Sequence, residues 1–170
     1  MRIRARIPNS QFLIVNFLVL TVCLSTWSAR AQSPEQLLPP GDGRDVFVSV
    51  CSLCHSPAAP AGKQWTRTQW ESKVTEMLQE EPEVTAEERA AIVDYLSANF
   101  KPGGRIYVNL AAAKDLAVLL DLPTKDADAI ARYRDENGAF KTLDDLKKVP
   151  GVDGARLDVK KDRLAFAGKE

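Results

Sequence analysis

Histidine is almost missing from this chain: His55 is the single one in 170 residues. Cysteine is nearly as scarce, with Cys51 and Cys54 close together and Cys23 alone far upstream. A structural zinc site wants four ligands, and beyond residue 31 only Cys51, Cys54 and His55 are available. A Ser-His-Asp or Cys-His catalytic arrangement has no histidine to recruit once His55 is engaged elsewhere, so the chain does not read as an enzyme. An excess of charge of one sign is also missing, since 23 Lys and Arg face 23 Asp and Glu. A neutral whole does not advertise a nucleic-acid or membrane surface. No alternating apolar run is long enough for a sheet, so the fold class reads as all-α. The length allows one or two small domains.

What is present begins with a targeting pattern. Arg2, Arg4 and Arg6 precede a mostly apolar stretch from Phe12 to Leu24, and Ala29-Arg30-Ala31 follows. Basic start, apolar middle and A-x-A end describe a secretory signal peptide, residues 1–31, cleaved near Ala31. The expected location is therefore periplasmic. The competing reading is a retained anchor, against which the apolar run falls short of the ~20 residues that span a bilayer. Val22 precedes Cys23 where lipid attachment would need a small residue. The mature chain, starting at Gln32, carries no transmembrane segment.

Lys101-Pro102-Gly103-Gly104 breaks the remainder in two. Residues 32–103 hold six basic and eleven acidic residues, a formal charge of −5; residues 104–170 hold thirteen and twelve, a charge of +1. Helical spacing predicts elements over Asp42–Ser52, over Gln64–Leu78, and from a Thr85/Glu88 capping box through Leu96. Behind the break it predicts helices over Ala113–Leu120, Lys125–Glu136, Leu143–Val149 and Gly154–Arg163.

Cys51-Ser52-Leu53-Cys54-His55 is a C-x-x-C-H run, which in an exported chain reads as covalent haem attachment. Two thiols on adjacent turns would each bond one vinyl group, and His55 would lie under the iron as proximal ligand. Gly43, Phe47 and Cys51 fall four apart on one helix face. The glycine there permits a close helix crossing, Phe47 would wall the porphyrin, and Tyr95 and Leu96 would supply the crossing partner. Gly43-x-x-x-Phe47-x-x-x-Cys51-x-x-Cys54-His55, followed by a Tyr95-Leu96 helix, resembles class I c-type cytochromes over about residues 41–100. The resemblance implies one haem c per chain in residues 32–103.

Met77 is the sole thioether of the mature chain and is the expected distal ligand by elimination, against a core methionine, a five-coordinate iron or a lysine ligand. Arg67, Trp70 and Met77 ahead of an acidic turn are similar to the small cytochromes that accept electrons from periplasmic dehydrogenases. Trp65 and Trp70 read as pocket packing. Arg67 reads equally as a propionate partner or a solvated arginine. In that family a proline carbonyl often accepts the proximal histidine N–H, which makes Pro57 and Pro60 candidates.

Behind the break, Val108-Asn109-Leu110-Ala111 precedes Ala129-Ile130-Ala131-Arg132-Tyr133-Arg134 and Glu136-Asn137-Gly138-Ala139-Phe140. Then come Leu143-Asp144-Asp145-Leu146 and Val149-Pro150-Gly151-Val152-Asp153-Gly154. The series resembles the tandem helix-hairpin-helix domain of competence-type DNA receptors. Such domains bind duplex backbone through hairpin amides at a helix N-terminus. Gly151 to Gly154 keeps one candidate phosphate-binding hairpin, marked by Gly151 and Gly154. Leu120-Asp121-Leu122-Pro123-Thr124 lacks both glycines and adds an acid, which is expected to disable the other. Lys147, Lys148, Lys160, Lys161 and Arg163 cluster near the first, and read as an ordinary solvated face ahead of a DNA surface.

The resulting expectation is a periplasmic monohaem carrier of single electrons, partnered with a redox dehydrogenase or oxidase and docked by its rear domain. Nucleic acid is the less favoured partner. The alternatives are a DNA-associated periplasmic protein with a redox-sensing or structural haem, and a five-coordinate haem gas sensor or enzyme.

Overall fold

A computed structural model of the chain describes residues 32–166. The expected signal peptide lies outside those residues. Ahead of the break, α1 spans Pro34–Leu37, α2 Arg44–Cys51, α3 Arg67–Met77 and α4 Ala86–Asn99, with a 3-10 turn at Ala59–Gly62. Behind it, α5 spans Ala113–Leu120, α6 Thr124–Asn137, α7 Leu143–Lys147 and α8 Gly154–Val159, and a second 3-10 turn runs Lys161–Arg163. The helical reading holds, with ends trimmed by a few residues.

Capping boxes mark the starts of α3 and α4. Thr85 accepts from the Glu88 amide while Glu88 reaches back to the Thr85 N–H; Thr66 and Gln69 do the same for α3. Each box satisfies two of the four orphan amides of a helix N-terminus. The Thr85 hydrogen bonds also hold the Glu88 carboxyl below its usual range.

The close crossing expected at Gly43 is present. Gly43 caps α2 at φ +79°, and a Cβ built there would meet the Ala91 carbonyl oxygen of α4 at 2.4 Å. Bare backbone thus lets α2 lie against α4. Phe47 stacks on Tyr95 with ring centroids 5.3 Å apart, and the Tyr95 hydroxyl donates to the Pro39 carbonyl at 2.7 Å. Both rings are buried. Full burial of the Phe47 side chain stabilises by about 2 kcal/mol. The α3–α4 pair closes over Trp70, whose indole N–H donates to the Phe100 carbonyl at 3.2 Å.

Two very short strands contradict the expectation of no sheet. β1 (Ile106–Tyr107) pairs in parallel with β2 (Leu164–Ala165), Ile106 opposite Leu164. Two residues each are too few for an alternating pattern to show in sequence. All four are buried, which is why a run such as Ile-Tyr-Val carries no polar alternation.

The two segments share packing across the break. Phe100 meets Tyr107 edge-on at 5.3 Å, Lys63 pairs with Asp115 at 3.4 Å, and Arg163 donates to the Gly104 carbonyl and to Gln64 Oε1, each at 2.9 Å. The buried residues from Leu37 to Ala165 form one cluster. No helix among the described residues is long and apolar enough to cross a membrane.

Candidate functional site

The Cys-x-x-Cys-His run sits where α2 ends. Cys51 is its last residue, half-buried, and Cys54 and His55 follow on an exposed turn. His55 Nδ1 lies 3.2 Å from the Ser56 carbonyl oxygen. Burial, with a smaller contribution from Cys54, pushes the Cys51 thiol up to about 11. Because the thiolate is the reactive form and its intrinsic nucleophilicity rises only partly with pKa, Cys51 should alkylate roughly tenfold more slowly than an ordinary thiol at pH 8. Iodoacetamide labelling followed by mass spectrometry is therefore expected to modify Cys54 first; equal rates at the two positions would contradict the burial of Cys51.

The other residues singled out around this motif divide into two sets. Phe47, Pro57, Trp70 and Tyr95 are buried, and Trp65 lies 4.7 Å from Trp70 ring to ring. Phe47 and Tyr95 meet at the α2–α4 crossing, Trp65 and Trp70 pack beside Phe100, and no contact of Pro57 with them is among those described. Met77 ends α3 and is 46% exposed. Arg67 is also exposed and pairs with Asp94 across the α3–α4 face, with Glu71 3.9 Å away. Among the described residues no group of three or more His, Cys, Asp or Glu is arranged to hold a metal ion.

The rear segment carries two helix–hairpin–helix units. α5 turns through Leu120–Thr124 into α6, and α7 turns through Val149–Gly154 into α8. In the first, Asp121 adopts φ 55°, ψ 49°, the left-handed conformation; in the second, Gly151 adopts φ 84°. The two turns therefore share a backbone shape although only one has glycine. Aspartate enters this region more readily than most residues, since its short polar chain satisfies local groups. The first hairpin thus keeps a left-handed turn residue without glycine.

The N-termini that the hairpins present are different. Pro123 caps α6 without any side-chain hydrogen bond, leaving the first-turn amides of a fourteen-residue helix uncovered by a cap. In the second hairpin Asp153 is the N-cap of α8, and its carboxylate accepts from the Ala155 amide at 2.9 Å. Gly154 is the first residue of that helix. A carboxylate already seated on the amides competes with phosphate for the same dipole end. Arg156 ties the two turns together by donating to the Asp121 carbonyl at 2.8 Å. Sequence reasoning missed Asp153 and Arg156; the Asp two residues after Gly151 was the available signal for a cap.

The local basic cluster is partly spent. Lys147 pairs with Asp158 at 2.6 Å, Lys148 with Asp145 at 2.8 Å, and Arg163 is turned toward Gly104 and Gln64. Lys160 and Lys161 make no ion pair among the described residues.

The family model that matches falls on this rear segment. Residues 102–164 match the family described as the helix-hairpin-helix motif. The chain is 36% identical over 50 residues to ComE operon protein 1 of Bacillus subtilis (strain 168), covering 29% of this chain and 24% of that protein. It is 32% identical over 63 residues to an uncharacterized protein of Haemophilus influenzae (strain ATCC 51907 / DSM 11121 / KW20 / Rd), covering 36% of this chain and 56% of that protein. The matches thus span about a quarter and just over half of these relatives' lengths. No solved structure matches the chain.

These findings correct the reading of function. The helix-hairpin-helix segment stands; nothing found supports a cytochrome c domain in residues 32–103. The expectation of a haem electron carrier, with haem c as cofactor, is overturned in favour of the nucleic-acid alternative, because what matches is a helix-hairpin-helix family. A five-residue run is a short signal that arises on an exposed turn without a cofactor, whereas the helix-hairpin-helix series runs in order through some sixty residues. The family that matches is described by a helix-hairpin-helix motif, with no catalytic group in its description.

Proposed function

We propose that this chain is a nucleic-acid-associated protein that contacts duplex backbone through its rear segment. The observation that carries the reading is the helix-hairpin-helix match over residues 102–164, on a backbone with two left-handed turns, each leading into a helix. Among the described residues the start of α6 has no side-chain cap, so the Thr124 and Lys125 amides are free to donate to phosphate, while the Asp126 amide is bonded to the Pro123 carbonyl. The acidic charge of residues 32–103 supports contact by the rear segment, since the front half repels a polyanion. Arg2, Arg4 and Arg6 with the apolar run and Ala31 support an exported chain, which would meet its nucleic acid outside the cytoplasm.

The test is fluorescence anisotropy of a labelled duplex with the full mature chain. Binding is expected at low salt, with little sequence preference and an affinity that falls steeply as salt rises. Absence of binding at low salt would overturn the reading. Asp153→Ala sharpens it, because two effects oppose. Loss of the cap is expected to cost about 1 kcal/mol of stability in urea melts. The same change uncovers the Ala155 amide and removes a negative charge from the hairpin, so duplex affinity should rise several-fold. A less stable variant that also binds more weakly would exclude the hairpins as the contact surface.

A further inference from the structure

A notch of about 340 Å³ lies where the two segments meet, between the end of α4 and the turn ahead of β2. Lys101, Arg105 and Arg163 line it, with Asp162 as the single carboxylate and Asn99 at the rim. Lys101 and Arg105 are exposed and make no ion pair among the described residues. Arg163 spends Nε on the Gly104 carbonyl and Nη2 on Gln64, which fixes its guanidinium and leaves Nη1 uncommitted among the described residues. Three cations against one anion give the notch a formal charge of +2.

The second observation is Tyr107. It is 5% exposed, yet its side chain reaches the wall of the notch, and among the described residues its hydroxyl has no hydrogen-bond partner. No side-chain nitrogen or oxygen among the described residues is both buried and unpartnered, so this hydroxyl meets the solvent of the notch and is free to donate to a ligand there. Burial raises its pKa, while Arg105 acts to lower it, so the phenol sits within the field of that guanidinium. A neutral O–H donor beside planar and point cations is a donor set that outnumbers the acceptors of the notch, where Asp162 is the single carboxylate. Guanidinium groups match phosphate oxygens two at a time, and lysine adds a point charge.

We propose that this notch is a phosphate-binding site, distinct from both hairpins, in which the Tyr107 hydroxyl, Arg105, Lys101 and Arg163 hold one phosphate group. That group belongs either to a nucleic-acid strand already engaged by the rear segment or to free phosphate. In the first case the notch extends the footprint toward the linker and adds one backbone contact. The fixed guanidinium of Arg163 orients the group, and Asp162 limits how much negative charge the notch accepts.

The experiment has two arms, both on the full mature chain. Inorganic phosphate is titrated against chloride at equal ionic strength, reading amide shifts of residues 101–107 by heteronuclear NMR. Saturable shifts with phosphate and none with chloride are expected. Tyr107→Phe, which keeps the ring and the core, should weaken phosphate binding several-fold, and Lys101→Gln/Arg105→Gln should abolish saturation. Both altered cations are exposed, so this variant keeps its fold. Shifts that do not saturate, or that chloride reproduces, would overturn the proposal. In the second arm the double variant binds labelled duplex across a salt series. A slope shallower by about 0.9 assigns the group to a strand, since each neutralised phosphate contributes that much. An unchanged slope in the double variant, with saturable phosphate binding in the wild-type chain, assigns the notch to free phosphate. A wild-type chain that ignores duplex yet saturates with phosphate would sink the hairpin reading and leave the notch standing.

Discussion

Gly43→Ala is expected to lower the unfolding free energy by roughly 3 kcal/mol, a large share of what a small domain has. Two causes act at that position. At φ +79° an L-residue pays about 1 kcal/mol for the left-handed conformation. The added Cβ would also lie 2.4 Å from the Ala91 carbonyl oxygen, 3.0 Å from its carbon and 3.3 Å from Tyr95 Cβ. The opposing atoms belong largely to helix backbone and cannot swing aside, so α2 and α4 must separate, and the Phe47–Tyr95 stack with them. Overpacking of this kind costs a further 1–3 kcal/mol. Gly103→Ala is the control, because Gly103 has φ +68° but nothing within 4 Å of the added atom. Urea melts should show a loss of about 1 kcal/mol for Gly103→Ala. Equal losses at the two positions would mean that the helix crossing is not held by close approach.

Asn109→Leu should cost nearly as much, for an unrelated reason. Asn109 is 7% exposed and is hydrogen-bonded at both ends of its amide. Its Nδ2 donates to the Phe140 carbonyl at 2.8 Å and to the Phe166 carbonyl, and its Oδ1 accepts from the Phe140 amide at 2.9 Å. One side chain thus joins the stretch after β1, the turn after α6 and the residue after β2. Leucine keeps the volume and strands one amide and two carbonyls in the core. Leaving a buried donor or acceptor unmade costs about 1–3 kcal/mol, so a total near 3 kcal/mol is expected. Thermal melts measure it, and hydrogen exchange at the Phe140 amide locates it. A loss under about 1 kcal/mol with Phe140 exchange unchanged would show that water takes over the three bonds.

Much of this architecture is legible in the sequence where local signals suffice. The Ala113–Leu120 boundary agrees residue for residue, and the Thr85/Glu88 box marks a helix start because cap and first turn are neighbours in the chain. The Gly43 crossing is legible for a related reason: Gly43, Phe47 and Cys51 repeat every four residues, and Tyr95 is a large aromatic on a helix that needs a partner. What depends on distant residues is not legible. The pairing of Ile106 with Leu164 leaves no trace in either dipeptide. The left-handed Asp121 hides because aspartate also suits ordinary turns, and the sequence signal for that conformation is glycine. The notch needs Lys101 and Arg105 to meet Arg163, a proximity that only the folded chain creates.

The β1–β2 pairing also sets an order of events. Ile106 waits for Leu164, and closing a loop of that span costs roughly 3–4 kcal/mol before any contact rewards it. A chain that emerges N-terminus first, from a ribosome or through a translocation pore, exposes Ile106, Tyr107 and Val108 long before their cover exists. The α2–α4 crossing can form early, since its parts are all at hand. The rear segment can complete its core only when the last of it has been delivered, so its folding is slow relative to the front, as non-local pairing generally is. During that interval the tripeptide has only its earlier neighbours, such as Phe100 against Tyr107, and the side that Leu164 and Ala165 will cover is open to other chains.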